Sequence, residues 1–229
     1  MTARLTIAID GPSGSGKSSV SRAVARRLGL GYLDTGAMYR ALTWWCLERG
    51  VDLTDEGAVA GAARGLPLEL GTDPAAPTVT VDGTDVTRAI RTTEVSTAVS
   101  AVATNRLVRP VLQQLQRDLM ARIAEQTGGV VAEGRDITTV VAPDARVRVL
   151  LTASEDARLR RRSAELHGTA DETALAATRD QVVRRDRDDS TVATFTQAAE
   201  GVVLLDTSDL DFDASVEAVL DVVAAETAE

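Results

Sequence analysis

Gly11-Pro12-Ser13-Gly14-Ser15-Gly16-Lys17-Ser18 satisfies every constrained position of the G-x-x-x-x-G-K-[ST] phosphate-binding loop. Its flanks supply the required context. Leu5-Thr6-Ile7-Ala8-Ile9 is a short apolar run of the buried parallel-strand kind, and Val20, Ala23, Val24 and Leu28 follow at helical spacing. Strand, glycine loop and helix therefore stand in the necessary order. Glycines let the backbone curl until several N–H groups face one anion, and the helix N-terminus behind them adds its dipole. Lys17 is placed to reach the β- and γ-phosphates, and the Ser18 hydroxyl to ligate Mg²⁺. Lys17 is the only lysine, the other 24 basic side chains being arginine, so the compact ammonium occurs where a phosphate loop needs a point charge.

With 229 residues, 44% hydrophobic and 26% charged, the chain suits one α/β core with a small inserted subdomain. No apolar run approaches the ~20 residues of a membrane span. Met1-Thr2-Ala3-Arg4 leads directly into the first strand rather than through a signal peptide, so a cytoplasmic location is expected. Cys46 is the only cysteine, which excludes an internal disulfide and a cysteine metal site and reads as a packed helical residue. His167, the only histidine, reads as a solvated loop residue, and its solitude removes Ser-His-Asp and multi-histidine metal chemistry. A formal charge of −9 disfavours nucleic acid and anionic membranes as partners. The anionic partner must be small and locally held.

Downstream, Gly31-Tyr32-Leu33 is a second strand running into Asp34-Thr35-Gly36-Ala37-Met38-Tyr39-Arg40, with Met38, Leu42, Trp45 and Leu47 on the inner face of the following helix. This places Thr35 at a strand's carboxyl end and Arg40 one turn into the helix, where open α/β sheets bind ligands; a solvated helix face is the competing reading of Arg40. Thr54-Asp55 signals the start of an Ala-rich helix that ends near Gly65. Between Leu66 and Ile90, turn residues and the alternating Thr78-Val79-Thr80-Val81 before Asp82-Gly83 predict a small antiparallel β insert. Two helices follow, broken at Thr104-Asn105, and they carry Ser100 and Arg109.

Val130-Val131-Ala132 is the third core strand, and Val147 to Leu151 and Val202 to Leu205 are the fourth and fifth. Arg135 and Asp136 follow the third strand as site candidates, with a mutual ion pair as the alternative. Arg158, Arg160, Arg161 and Arg162 form one basic run, and Arg184-Arg185-Asp186-Arg187-Asp188-Asp189-Ser190 a second beyond Gly168. Two such helical arms over the phosphate loop would make a cationic lid. Mutual repulsion of the empty arms would keep that lid mobile. The tail, with Val216, Val219, Leu220 and Val223 at helical spacing, covers the sheet. The whole predicts a five-stranded parallel α/β sheet with helices on both faces. One kinase unit would span 1–229, with the core near 1–64, 91–152 and 191–229, the β insert near 65–90 and the lid near 153–190. Phosphoryl transfer fits this pattern, since it needs positioning and charge neutralisation more than a covalent nucleophile.

The segments Ile9 to Gly14, Asp34 to Arg40, Ile90-Arg91-Thr92, Gly134-Arg135-Asp136 and Asp186 to Thr191 together resemble the bacterial cytidylate kinases of the nucleoside monophosphate kinase superfamily. The resemblance runs nearly end to end and implies a P-loop NTPase core. Gly11, Pro12, Ser13, Gly14, Ser15, Gly16, Lys17, Ser18 and Ser19 would bind ATP, with Mg²⁺ on Ser18. Thr35, Arg40 and Arg135 would hold the phosphate of CMP or dCMP; Ser100, Arg109 and Asp136 would face its cytosine edge. Arg185 and Asp189 would approach the sugar and phosphate, while Arg158 and Arg162 would join Lys17 and Arg185 in catalysis on the transferring phosphoryl group. The family suggests a monomer. Where many relatives continue Asp-Ser-Thr-Arg, this chain has Asp189-Ser190-Thr191-Val192, so another arginine must cover that charge, either Arg187 or the first lid helix. Another small P-loop kinase would share the loop and differ on the acceptor side. A GTP-dependent switch would need N-K-x-D and D-x-x-G strings, and neither occurs.

Overall fold

The structure, a computed structural model, describes residues 4–169 and 171–228. Strand β1 (Leu5–Asp10) alternates its side chains between two helical layers. Ile7 and Ile9 pack with Val20 and Val24 of α1 (Lys17–Leu28), while Ala8 faces the opposite layer. The chain continues through β2 (Gly31–Asp34) into α2 (Thr35–Glu48), capped by the Asp34 carboxylate on the Ala37 amide at 2.9 Å. Asp55 caps α3 (Glu56–Arg64) in the same way.

The expected β insert is a three-stranded antiparallel sheet of β3 (Leu68–Leu70), β4 (Val79–Val81) and β5 (Thr84–Asp85). Asp82 and Gly83 take φ of 51° and 74° in the β4–β5 turn, the positive pair that a tight hairpin demands. Val79 and Val81 bury against Ala37 and Ala41 of α2, which fixes the insert to the core.

A 3-10 turn (Ala89–Arg91) leads to α4 (Thr93–Ala103) and α5 (Val108–Thr127). The break between them is made by Asn105, whose side-chain oxygen accepts from the amides of Leu107 and Val108 and whose amide donates to the Glu56 carbonyl. Strand β6 (Gly129–Gly134) runs into a π-helical turn (Ile137–Val141), then β7 (Val147–Thr152), α6 (Glu155–His167), α7 (Glu172–Asp189), β8 (Val203–Asp206) and α8 (Phe212–Thr227). The five-stranded sheet has the order β2-β6-β1-β7-β8, parallel throughout. Helices α1 and α8 cover one face, and α2 and α5 contribute to the other. The order reverses around β1, so the carboxyl ends of β1, β6 and β2 open onto one crevice.

Three local readings change. The fifth strand is an edge strand shifted by one residue, with Leu204 exposed. Leu47 is half-buried, whereas Cys46 beside it is fully enclosed. His167 ends α6 instead of lying in a loop, and its side chain, like Met1 to Ala3, falls outside the described residues.

Asp10, fully buried at the end of β1, pins this crevice. Its carboxylate accepts from the Ile137 amide at 3.0 Å, the Thr138 amide at 2.8 Å and the Thr138 hydroxyl at 2.6 Å, tying the π-helical turn to the phosphate loop. Burial pushes its pKa from 3.8 up to about 6, against the pull of those bonds, and nearby Asp136 adds to the rise. The folded chain thus favours the protonated carboxyl. That contribution to stability is complete below pH 3.8 and is lost as pH rises through about 6. Relative to Asp10→Asn, the wild-type unfolding free energy in urea should fall by about 2 kcal/mol between about pH 4 and pH 7. Parallel curves for the two proteins would refute this assignment.

Candidate active site

Gly14 and Gly16 hold φ of 77° and 86°, the left-handed backbone that curls the loop around a concavity. A Cβ on Gly14 would also lie 2.4 Å from the Arg158 carbonyl oxygen, so the loop packs directly on α6. Helix α1 starts at Lys17 with Gly16 as an N-cap that offers no side-chain acceptor, which leaves its first amides for an anion.

Behind the loop stands Glu133, buried near the end of β6. Tyr32 donates its hydroxyl to Glu133 Oε1 at 2.9 Å, and Lys17 Nζ lies 3.9 Å from Oε2. Burial and the Asp34 charge raise the Glu133 pKa, while Lys17 and the Ser18 and Tyr32 hydroxyls pull it down. Burial and the Arg135 charge lower Lys17 from 10.5 to about 8, with Glu133 opposing. An ammonium held this reluctantly gains most from an incoming phosphate.

Thr35, at the start of α2, donates to the Glu133 carbonyl at 2.7 Å, and the backbones meet so closely that a Cβ on Gly134 would sit 2.6 Å from Thr35 Oγ1. Arg40 is not on a solvated face: it is buried and donates to Ser96 Oγ at 2.8 Å and the Ile90 carbonyl at 3.2 Å. Burial, Arg185 and Arg162 all depress its pKa. Arg185 is likewise lowered by burial and Arg135, and its buried Nε has no hydrogen-bond partner among the described residues, the nearest carboxylate oxygen being Asp189 Oδ2 at 3.6 Å. Arg135 spans the crevice through Asp189 Oδ2 at 2.9 Å and the Gly11 carbonyl at 2.5 Å, over the Phe195 ring. The alternative Arg135–Asp136 pair does not form. Asp136 instead takes Arg109 at 2.6 Å and Gln113 at 2.7 Å.

One cavity joins these groups, from Lys17 and Ser18 past Thr35, Arg40, Arg135 and Arg185 to Asp136, Arg109 and Tyr39. Asp189 and Arg162 also line it. Ser100 does not: its neighbours Val99 and Ala103 face the cavity from α4, while the Ser100 carbonyl accepts from Thr104. A second cavity lies across the loop, between Gly14, Ser15, Gly16 and Ser19 on one side and Leu210, Phe212 and Arg161 on the other. Arg162 lines both. Gly11 and Pro12 are buried beneath the loop.

The arginine-bearing helices α6 and α7 do not simply repel the loop. Asp186 of α7 accepts from the Ser13 amide at 3.0 Å through Oδ1, pairs with Arg158 through Oδ2, and lies 3.4 Å from Arg135. Arg158 also donates to the Ser13 carbonyl at 2.9 Å, outside both cavities. Arg187 turns to solvent, its side chain 75% exposed and 3.7 Å from Asp188. It lines neither cavity. Asp10, Glu133, Asp186 and Gln113 were not among the sequence candidates. For the first two, an acid closing an apolar strand is the available signal.

Phosphate binding favours charged Lys17, so a nucleoside triphosphate must bring a proton with it wherever Lys17 is neutral. Affinity should fall about tenfold per pH unit above about 8, with calorimetric proton uptake approaching one. Affinity that stays flat across that range would refute the depressed ammonium.

The family model described as Cytidylate kinase matches residues 7–225. A curated relative named Cytidylate kinase, from Streptomyces avermitilis, is 52% identical over 218 residues, covering 95% of this chain and 91% of its own. Another of that name, from Cutibacterium acnes, is 50% identical over 223 residues and covers 97% of each chain. A solved structure of an uncharacterized protein from Eubacterium ventriosum, 11% identical, aligns at a TM-score of 0.50 over 96% of this chain and 99% of that one, a likeness of fold alone. With a complete phosphate loop, a cationic cavity at the strand ends and a match along almost its whole length, the chain belongs to the cytidylate kinase family of enzymes.

Proposed function

We propose that the protein transfers the γ-phosphoryl group of ATP, with Mg²⁺, to CMP or dCMP, giving CDP or dCDP and ADP. The observation that carries this is the phosphate loop standing as the common wall of two cavities, with Arg162 lining both. The triphosphate would lie on the loop with its nucleoside in the Leu210–Phe212 cavity. The acceptor would lie in the other, its phosphate among Thr35, Arg40, Arg135 and Arg185 and its base towards Asp136. Asp189 would approach the sugar.

An acceptor phosphate oxygen attacks the γ-phosphorus, forming one P–O bond as the bond to the ADP oxygen breaks. No protein nucleophile is needed. Lys17 follows the β- and γ-phosphates, and Arg162 neutralises charge on the group in flight. The residues present fit Mg²⁺: the Ser18 hydroxyl meets the buried Glu133 carboxylate beside the loop, a hard oxygen pair. Among the described residues no group of three or more His, Cys, Asp and Glu side chains gathers, as suits an ion that takes its other ligands from phosphate and water. Ser18 and Glu133 would hold the ion, which would supply positive charge to offset that of the phosphates. The reading includes a core near 1–64, 91–152 and 191–229, a β insert near 65–90 that shapes the acceptor side, and a lid near 153–190. It further takes the enzyme to be a cytoplasmic monomer; among the described residues no helix is long and apolar enough to cross a membrane.

A panel of monophosphates ranked by kcat/KM tests the acceptor. CMP and dCMP should exceed UMP by about 10²-fold or more, because the Asp136 carboxylate accepts from the cytosine amino group and would oppose the uracil carbonyl. Equal use of UMP would reject it. Lys17→Ala should abolish transfer while the fold survives; near wild-type turnover would rule out the loop's role. Arg162→Ala should lower kcat by about 10³-fold, whereas Arg187→Ala should leave it unchanged. The reverse result would return the missing charge to Arg187.

A further inference from the structure

Gln113 lies one turn beyond Arg109 on α5, and both side chains reach the same oxygen of Asp136. Arg109 NH2 donates to Oδ2 at 2.6 Å and Gln113 Nε2 at 2.7 Å, while among the described residues none donates to Oδ1. Asp136 lines the acceptor cavity; Gln113 does not and stands behind it. Arg109 is held from its other side by the Ala103 carbonyl at 2.9 Å.

A guanidinium facing a carboxylate prefers the two-pronged arrangement, one N–H to each oxygen. Here that arrangement is not made: Arg109 NH1 is on the Ala103 carbonyl, and NH2 meets Oδ2, the oxygen that the Gln113 amide also takes. Oδ1 is left without a protein donor among the described residues, on a side chain that lines the cavity. We infer that Gln113 is a positioning residue for acceptor selection: by holding Oδ2 it presents Oδ1 to the exocyclic amine of a 4-aminopyrimidine and so sets the preference for cytosine over uracil. This rests on the cytidylate reading of the site. Without Gln113 the carboxylate turns, Arg109 engages both oxygens, and the amine must compete for Oδ1.

The test compares CMP and UMP as acceptors in wild type, Gln113→Leu and Gln113→Lys, with thermal unfolding as the check on folding. In Gln113→Leu, KM for CMP should rise roughly tenfold with kcat little changed and UMP kinetics held within about twofold, so the CMP:UMP ratio of kcat/KM falls roughly tenfold. Gln113→Lys restores a donor and should return the ratio to within about twofold of wild type. Should the Leu variant fail to fold, Gln113→Asn keeps the polarity but is one methylene too short to reach, and should lose the same selectivity. An unchanged ratio, equal losses for CMP and UMP, or no rescue by Lys would each overturn the role of Gln113. A wild type that uses CMP and UMP alike would instead overturn the cytidylate reading, and the inference with it.

Discussion

The structure depends on holding several cations in one cavity without letting them drive it apart. Lys17, Arg40, Arg135, Arg162 and Arg185 share it, and the depressed pKa values of Lys17, Arg40 and Arg185 record their mutual repulsion and burial. Like charges ~6 Å apart repel by about 3 kcal/mol at an effective dielectric constant of ~20, so such a cluster is stable only with carboxylates set among its members. Glu133 stands against Lys17, Asp189 between Arg135 and Arg185, and Asp186 between Arg135 and Arg158. The balance remains incomplete at Arg185, whose buried Nε has no hydrogen-bond partner among the described residues, and at Lys17; both residues line the cavity that would take the phosphates. In a chain of net charge −9, this local excess of positive charge is suited to a small anion.

Sheet topology explains how residues far apart in sequence supply the cluster. Parallel strands β1, β6 and β2 end at one level, with Asp10 in register with Gly134 and Asp34 with Glu133. Each strand then hands over to a loop or helix carrying charge: the phosphate loop after β1, Thr35 and Arg40 after β2, Arg135 and Asp136 after β6. Consecutive residues at the end of β6 diverge, so Glu133 meets the loop lysine, Arg135 the carboxylates of α7 and Asp136 the far end against α5. A single strand terminus thus addresses three parts of the site.

What was legible in the sequence was whatever is encoded locally. Apolar runs of strand length, a loop of fixed glycine spacing and the alternating Thr78 to Val81 gave the sheet, the loop and the insert, because each signal lies within a few residues. Thr35, Arg135 and Asp136, which line the cavity, were candidates because they directly follow such runs, and Arg40 because it lies one turn into the helix after one. Gln113 and Asp186 were not, since their meaning comes from partners on other elements: Asp136 for one, Ser13, Arg135 and Arg158 for the other. The same blindness produced the Arg187 alternative. Counting arginines on a helix does not show which way each faces, and only the packing of α7 turns Arg187 to solvent while Arg185 is buried. Ser100 shows the limit in a milder form, since its neighbours Val99 and Ala103 face the cavity from the same helix.

Asp186 also changes how the arginine-rich arms are to be understood. A lid made only of arginines would be held off the loop by its own charge and drawn down solely by phosphates. Here a carboxylate accepts from the Ser13 amide and engages arginines of two other elements, with side chains only 12–15% exposed, so the arms rest on the loop through pairs of their own. Removing one member of such a group leaves buried charge uncompensated, which costs more than the intact pair contributes. The attachment has a positional consequence. Because α6 packs its backbone against Gly14 and is tied through Arg158 to Ser13, Arg162, one turn further along α6, is carried to the boundary of both cavities. With Val192 after α7, the proposed transfer would draw the charge between donor and acceptor from Arg162, on the helix that the loop itself holds in position.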